Sequence, residues 1–340
     1  AVLVEQKVNP KNSSNNGLEG KVVGTPAPNT NWSNQNTVVL TASALETGDF
    51  VKDWRYAVVA INVAPGPMDP VWTTVSNGTT ATYTFPSGTN SDHYIFWEMN
   101  TNNITGITGQ VENSGVKVYN IDLVAPTVTN IVSERTITNA TPFKISVTFS
   151  EPVSVTDASK FVATHATVGN PIAIGNPVNG QYTDYQMTIT PKAGLKTGDL
   201  IVFSVQANAA KDRANNNNPA SHSMYDVSIE YNSENPLVTL TTQELAINSN
   251  FVVTVTFSKA VTGLKESDFV ISNGTVLSGS LSGSGTTYTL TINTTSAASG
   301  NILVTLPDNV VEDAAYNGNM GGSLKVDYRD PTDQIAAVLS

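Results

Sequence analysis

An all-β chain is predicted, built as three tandem β-sandwich domains behind a short polar N-terminal arm. Three observations predict it. Apolar residues alternate with Thr and Ser in run after run. Turn signals punctuate those runs roughly every 8–12 residues, the spacing of sandwich strands. One stretch of sequence also returns about a hundred residues later, near the ordinary size of one domain.

The elements follow in order along the 340 residues. Residues 1–30 are polar and Asn-rich, with Asn12-Ser-Ser-Asn-Asn-Gly17, Pro26 and Pro28. They read as an arm or linker with one short strand at 20–23. Beyond it, Thr37–Ser43, Ala81–Phe85, Lys144–Phe149, Gln186–Thr190, Ile201–Val205, Val252–Phe257, Tyr288–Ile292 and Ile302–Leu306 alternate apolar with hydroxylic residues. A period of two puts the apolar set on one face, as in a half-buried antiparallel strand. Asn77-Gly78, Asn273-Gly274, Ser282-Gly-Ser-Gly285 and Asn317-Gly318 mark turns between runs. Short helical turns are expected near 157–161 and 265–269, each after a strand.

The repeat defines the domains. Ile145-Ser-Val-Thr-Phe-Ser-Glu-Pro-Val153 matches Val253-Thr-Val-Thr-Phe-Ser-Lys-Ala-Val261 at an offset of 108, and Lys160-Phe-Val162 matches Asp268-Phe-Val270 at the same offset. Tyr185 then pairs with Tyr288 and Lys211-Asp-Arg-Ala214 with Glu312-Asp-Ala-Ala315, at offsets of 103 and 101. The domain ends also repeat. Asp122-Leu-Val-Ala-Pro126, Asn232-Ser-Glu-Asn-Pro236 and Asp327-Tyr-Arg-Asp-Pro331 each carry Asp or Asn four residues before Pro, with at least one carboxylate in each. Proline cannot donate to a ladder and suits the point where one sheet ends and the next begins. The expected units are an arm (1–30), domains at 31–124, 125–234 and 235–330, and a tail or start of a further domain at 331–340.

Composition excludes several chemistries. With 17 basic against 28 acidic residues the formal charge is −11. A nucleic-acid binder needs clustered Lys and Arg, so none is expected here. No apolar run reaches the ~18 residues of a membrane-spanning helix, and direct membrane insertion is not expected. No cysteine is present, which removes disulfides, zinc–thiolate sites and cysteine nucleophiles. The three histidines, His93, His165 and His222, are widely separated. The low charge content, filled by Thr, Ser, Asn and Val, favours strands over helices and fits an extracellular protein. The chain opens on Ala1, which reads as a processed or trimmed piece of a longer precursor.

The stretches Lys144–Val153, Asp212–Asn218, Val252–Val261, Asp268–Thr275, Tyr288–Ile292 and Asp313–Asn319 resemble the bacterial immunoglobulin-like repeats of S-layer proteins and large surface adhesins. Residues 31–125 resemble a second type of such repeat, through Trp32, Val38–Ser43, Trp72–Val75, Asn77–Phe85, Tyr94–Trp97 and the closing Asp122-Leu-Val-Ala-Pro126. Together the resemblances cover roughly residues 30–330. They imply immunoglobulin-like sandwiches at a bacterial cell surface or cell wall, with no enzymatic activity. They also imply Ca²⁺ at or near domain junctions. On that basis Asp122, Glu234, Asp327 and Asp330 are junction candidates, and Asp212 and Asp313 are loop candidates. The bland alternative for each is an Asx-turn, the carboxylate accepting its own backbone N–H. The first domain has Met99-Asn-Thr-Asn-Asn103 where the family has an Asp-containing loop, and the second has Asn215–Asn218 where Gly-Asn is expected.

Catalytic patterns are absent or spurious. Gly279-Ser-Leu-Ser-Gly283 matches a nucleophile elbow in letters alone, since an elbow lies between a strand and a helix and this lies between strands. Asp313-Ala-Ala-Tyr-Asn-Gly318 overlaps an EF-hand loop but fails at Ala315 and Leu324. All four tryptophans fall in the first domain. Trp97 is expected in or beside the core. Trp54 and Trp72 flank Pro65, Pro67 and Pro70 and are candidates for an exposed sugar-binding face. The functional expectation is a structural, self-associating S-layer-type subunit or segment. Its alternatives are an adhesin stalk recognising a host protein or glycan through the first domain, and an accessory part of a polysaccharide-degrading enzyme.

Overall fold

The computed structural model describes residues 20–25, 31–44, 50–60, 71–76, 78–102, 108–112, 119–243, 246–247, 249–294 and 300–328. The arm apart from 20–25, the stretch Pro65 to Pro70, Asp330 and residues 331–340 lie outside them. The described residues are almost entirely strand, in three two-sheet sandwiches, each with its own buried cluster. Among them no helix is long and apolar enough to cross a membrane.

Alternation decides which side chains fill each sandwich. In the strand Phe143–Val155, Phe143, Ile145, Val147 and Phe149 point inward, and Lys144 and Ser150 outward. They meet Met187 and Ile189 of Tyr182–Pro191 and, across the sandwich, Ile201 and Phe203 of Leu200–Val205. The third domain repeats this with Val253, Val255 and Phe257 against Leu290, Ile292, Ile302 and Val304. The hydroxylic residues between them keep the outer face wet without charge.

The two domains share their connectivity. In each, a two-residue strand (Ile137–Thr138 or Ala246–Ile247) pairs parallel with the domain's last strand (Val227–Tyr231 or Gly322–Tyr328). In each, the long strand bulges at the same place, between Thr148 and Val153 or between Thr256 and Val261. Both helical turns form, as 3-10 turns at Ala158–Lys160 and Glu266–Asp268. The bulge is braced by a buried hydroxyl. Tyr185 Oη donates to the Val153 carbonyl at 2.7 Å, and Tyr288 Oη to that of Val261 at 3.0 Å. Tyr185→Phe is expected to cost about 1–2 kcal/mol in urea unfolding, because it leaves a buried acceptor unmade. A cost under a few tenths would show that the hydroxyl does not brace the bulge.

The first domain is built differently. A three-stranded sheet (Gly20–Thr25, Thr37–Ala44, Thr80–Thr84) faces a five-stranded one (Thr73–Ser76, Phe50–Ala60, Asn90–Asn102, Thr108–Glu112 and Tyr119–Asp122). Gly20–Thr25, placed by sequence in the arm, is an edge strand of this sandwich, paired from Gly20↔Ala44 to Thr25↔Val39. Trp97 is in the core as expected, 2% exposed. Trp54 is not the exposed ring that its proline-rich neighbourhood suggested. It is also 2% exposed, on the inward register of its strand, and its Nε1 donates to the Gly78 carbonyl at 3.0 Å. Trp72 is half-buried, with the Arg55 guanidinium 4.5 Å over its ring. The sugar-binding face therefore loses one of its two flanking rings.

Candidate functional site

Polar chemistry concentrates at the junctions between sandwiches, and three local structures build each one. The first is the Asx-turn that ends a domain. Asp122 Oδ1 accepts from Val124 N at 3.2 Å, and Asn232 Oδ1 accepts from Glu234 N at 3.0 Å. The second is the bulge. The extra residues there lift Glu151, or Lys259, off the regular pleat and toward the preceding domain. The third is a closing loop organised by a buried aspartate. Asp212 Oδ1 accepts from Ala214 N at 2.7 Å and Asn216 N at 2.8 Å, and Asp313 Oδ1 accepts from Ala315 N and Asn317 N, each at 2.9 Å.

At the first junction these parts bring together Asp122, Glu151 and Asp212, with one carboxylate oxygen of each within 4.8 Å of the others. Asp122 is 0% exposed and Asp212 3%. Asn216 Nδ2 ties the two domains, donating to the carbonyls of Asp122 at 2.8 Å and Val124 at 3.2 Å and to Asp212 Oδ2 at 2.7 Å. Arg213 Nε meets Asp122 Oδ2 at 3.3 Å, while its Nη2 reaches Asn90 Oδ1 at 2.7 Å and its guanidinium stacks 3.4 Å from the Trp32 ring. Three carboxylates against one guanidinium leave the ionised cluster two charges negative. Burial, then the charges of Asp122 and Asp212, push the Glu151 carboxyl up to about 7 against the opposing pull of Arg213.

The second junction has the same frame with different charges. Asn232 stands for Asp122, Lys259 for Glu151 and Asp313 for Asp212. Asn317 stands for Asn216, its Nδ2 donating to the Asn232 carbonyl at 2.9 Å. Lys259 Nζ donates to Asn232 Oδ1 at 2.9 Å and the Glu234 carbonyl at 2.7 Å, and lies 3.4 Å from Glu234 Oε2 and 3.9 Å from Asp313 Oδ2. The closing loops match in their backbone too. Asn215 and Tyr316 both hold positive φ, 68° and 67°. Their carbonyls accept from Asn34 Nδ2 at 3.4 Å and Asn139 Nδ2 at 2.8 Å, each from the domain before. Tyr316 pays for that strained backbone in part through the Arg135 guanidinium, 3.8 Å over its ring.

A bacterial Ig-like domain profile matches residues 122–229 and again 232–329, more than half of the chain. The chain belongs to the bacterial Ig-like domain family. No curated protein matches it. Among solved structures it is similar to the D1–D4 ectodomain fragment of ICAM-5 (13% identity, TM-score 0.29, covering 91% of this chain and 76% of that one). It is also similar to the N-terminal part of the bacterial S-layer protein SbsC (17%, TM-score 0.25, 61% and 45%) and to the I9–I11 tandem of titin (10%, TM-score 0.27, 88% and 94%). The chain therefore spans less than half of that SbsC fragment.

The six acidic residues singled out in this bacterial Ig-like chain have different fates. Asp122 and Asp212 come together. Glu234 and Asp313 also share a junction, but around an ammonium. Asp327 is exposed on Gly322–Tyr328, in register opposite Asn301, and joins neither cluster. Asp330 lies outside the described residues. Sequence reasoning missed Glu151, Lys259, Arg213 and Asn216. A signal for the first two was present, since Glu151 and Lys259 face each other, with opposite charge, in the best-matching strings of the repeat.

Proposed function

We propose that this chain is a non-catalytic, extracellular module of a bacterial surface protein. In it, tandem sandwiches act as a spacer or lattice segment of the S-layer kind, and a calcium ion sets the first interdomain angle. The observation that carries the reading is the Asp122–Glu151–Asp212 cluster, three carboxylates of which Asp122 and Asp212 are buried, contributed by both domains at their junction. Family membership supports the surface module.

The donor set fits a hard divalent cation. It is all oxygen, with three carboxylates and the nearby Val124 carbonyl, which is the chemistry calcium selects. The equivalent space at the second junction holds an ammonium, so the frame accommodates positive charge. Asp122, Glu151 and Asp212 would hold the ion, which supplies charge neutralisation and a crosslink between domains. This chain's own residues do the rest. Asn216 and Arg213 fix the approach of the two domains, and Pro126 ends the donor segment. At extracellular-module affinities of roughly 10⁻⁴–10⁻³ M, tenfold excess calcium stabilises by only about 1.4 kcal/mol per site. That sets an angle without being required for folding.

Small-angle X-ray scattering with light scattering, in EDTA and then in millimolar calcium, tests it. The expected result is a longer, narrower particle with calcium, or ordered assembly. Unchanged shape and mass would sink the calcium reading.

A further inference from the structure

We propose that Lys259 is a built-in cation that locks the second junction without metal, so that the residue at the bulge, Glu151 or Lys259, decides whether a junction is calcium-dependent or permanently set. The contrast between junctions rests on the calcium reading above. The role of Lys259 stands on its own geometry.

The two junctions compare one frame under two charge states. Its fixed parts repeat: the Asx-turn, the bulge, the aspartate-organised loop and the bridging asparagine amide. Where the frame carries Glu151, it also carries Asp122 and Asp212 and is left two charges negative. Where it carries Lys259, the Asp122 position is the neutral Asn232. The ammonium there balances Asp313, with Glu234 at the rim. An ammonium is a compact point charge with three donors. The Lys259 ammonium uses two of them across the junction, on the Asn232 amide oxygen and the Glu234 carbonyl, and is ion-paired with the Glu234 carboxylate at 3.4 Å and, on its own side, with Asp313 at 3.9 Å. The Glu234 carbonyl stands where Val124 stands in the first junction, so the lysine reaches the same backbone position offered to a metal there. The side chain is only 25% exposed, which shields these contacts from salt and water. Lysine at the bulge, with Asn232 in place of Asp122 and Ala314 in place of Arg213, thus exchanges a borrowed cation for a covalently attached one. In a surface rod, one joint then responds to divalent ions while the next does not.

The chain has no cysteine, so spin labels can be placed at will. Labels on Thr188→Cys and Val252→Cys, both at exposed positions, report the second junction by double electron–electron resonance. Labels on Thr82→Cys and Thr188→Cys report the first. The second-junction distance distribution is expected to be narrow in EDTA and unchanged by millimolar calcium. Lys259→Gln is expected to broaden it at least twofold with or without calcium. Lys259→Glu is expected to broaden it in EDTA and to regain the narrow distribution in calcium. The Lys259 proposal is overturned if Lys259→Gln is as narrow as the parent in EDTA, or if the parent narrows only with calcium. Failure of Lys259→Glu to respond to calcium, while the first junction does respond, overturns the interchange of cations. A first-junction pair blind to calcium defeats the calcium reading itself and leaves the Lys259→Gln comparison to decide the ammonium lock. Far-ultraviolet circular dichroism of each variant separates a loosened joint from an unfolded domain.

Discussion

Asn218→Ala is expected to destabilise the second domain by about 3 kcal/mol, the largest single effect outside its apolar core. Asn218 is 1% exposed and organises the crossing of its loop. Its Oδ1 accepts from Ala210 N at 2.8 Å, and its Nδ2 donates to the carbonyls of Gln206 at 3.1 Å and Pro219 at 2.6 Å. Truncation strands a buried N–H and weakens two carbonyls, where each buried unmade partner costs about 1–3 kcal/mol. Asn319 does the same work in the third domain, accepting from Val310 N and Val311 N and donating to Pro307 and Met320. Calorimetry should show the second domain's transition falling by roughly 10–20 °C in Asn218→Ala, with the third domain's transition in place. Asn319→Ala should do the reverse. A fall of under 2 °C in either would mean that water replaces the amide and that the loop does not depend on it.

Glu151→Gln is expected to change sign with calcium. In EDTA above pH 7 the ionised Glu151 is repelled by Asp122 and Asp212. Its folded-state pKa is raised, so the folded metal-free protein prefers the protonated form. The stability that this preference confers is complete at pH below about 4.5 and is lost as the pH rises through about 7. Gln removes the charge, and at pH 8 in EDTA the variant should be the more stable by about 1 kcal/mol, a value kept small because Glu151 is half exposed and screened. At pH 5 the difference should shrink. In calcium the same substitution removes a ligand, so affinity should fall at least tenfold, about 1.4 kcal/mol, and the variant should become the less stable. Thermal unfolding of both proteins at pH 5 and pH 8, with EDTA and with calcium, reads all four states. The same sign in EDTA and in calcium at pH 8 would show that Glu151 is a solvated surface acid.

Much of this fold is legible in one dimension because its determinants are local. Alternation of apolar and hydroxylic residues fixes which face of Phe143–Val155 and Phe251–Thr262 is buried, and a period of two leaves no other register that keeps four apolar side chains inside. The repeat at an offset of 108 carries the shared bulge with it, since equivalent positions pair in both domains, Val147 with Tyr185 and Val255 with Tyr288 before the bulge. The Asp or Asn four residues before the proline forms an Asx-turn at two domain ends, Asp122 and Asn232, and that alternative is open to sequence because such a turn is made within three residues.

What tertiary structure alone decided is charge meeting charge. Asp122, Glu151 and Asp212 are separated by tens of residues, and no spacing rule relates them. A bulge, a loop and the end of another domain bring them within 4.8 Å. Trp54 shows the same limit, because its proline-rich neighbourhood suggested exposure while pairing with Asn90–Asn102 turned the ring inward. Gly20–Thr25 reads as a strand in a polar arm, but only its pairing with Thr37–Ala44 makes it part of a domain. Period and turn chemistry act between neighbours in the chain and so are written in its order. Coulomb repulsion and burial act through space, and the Glu151 and Lys259 positions acquire their opposite meanings only where two sandwiches touch.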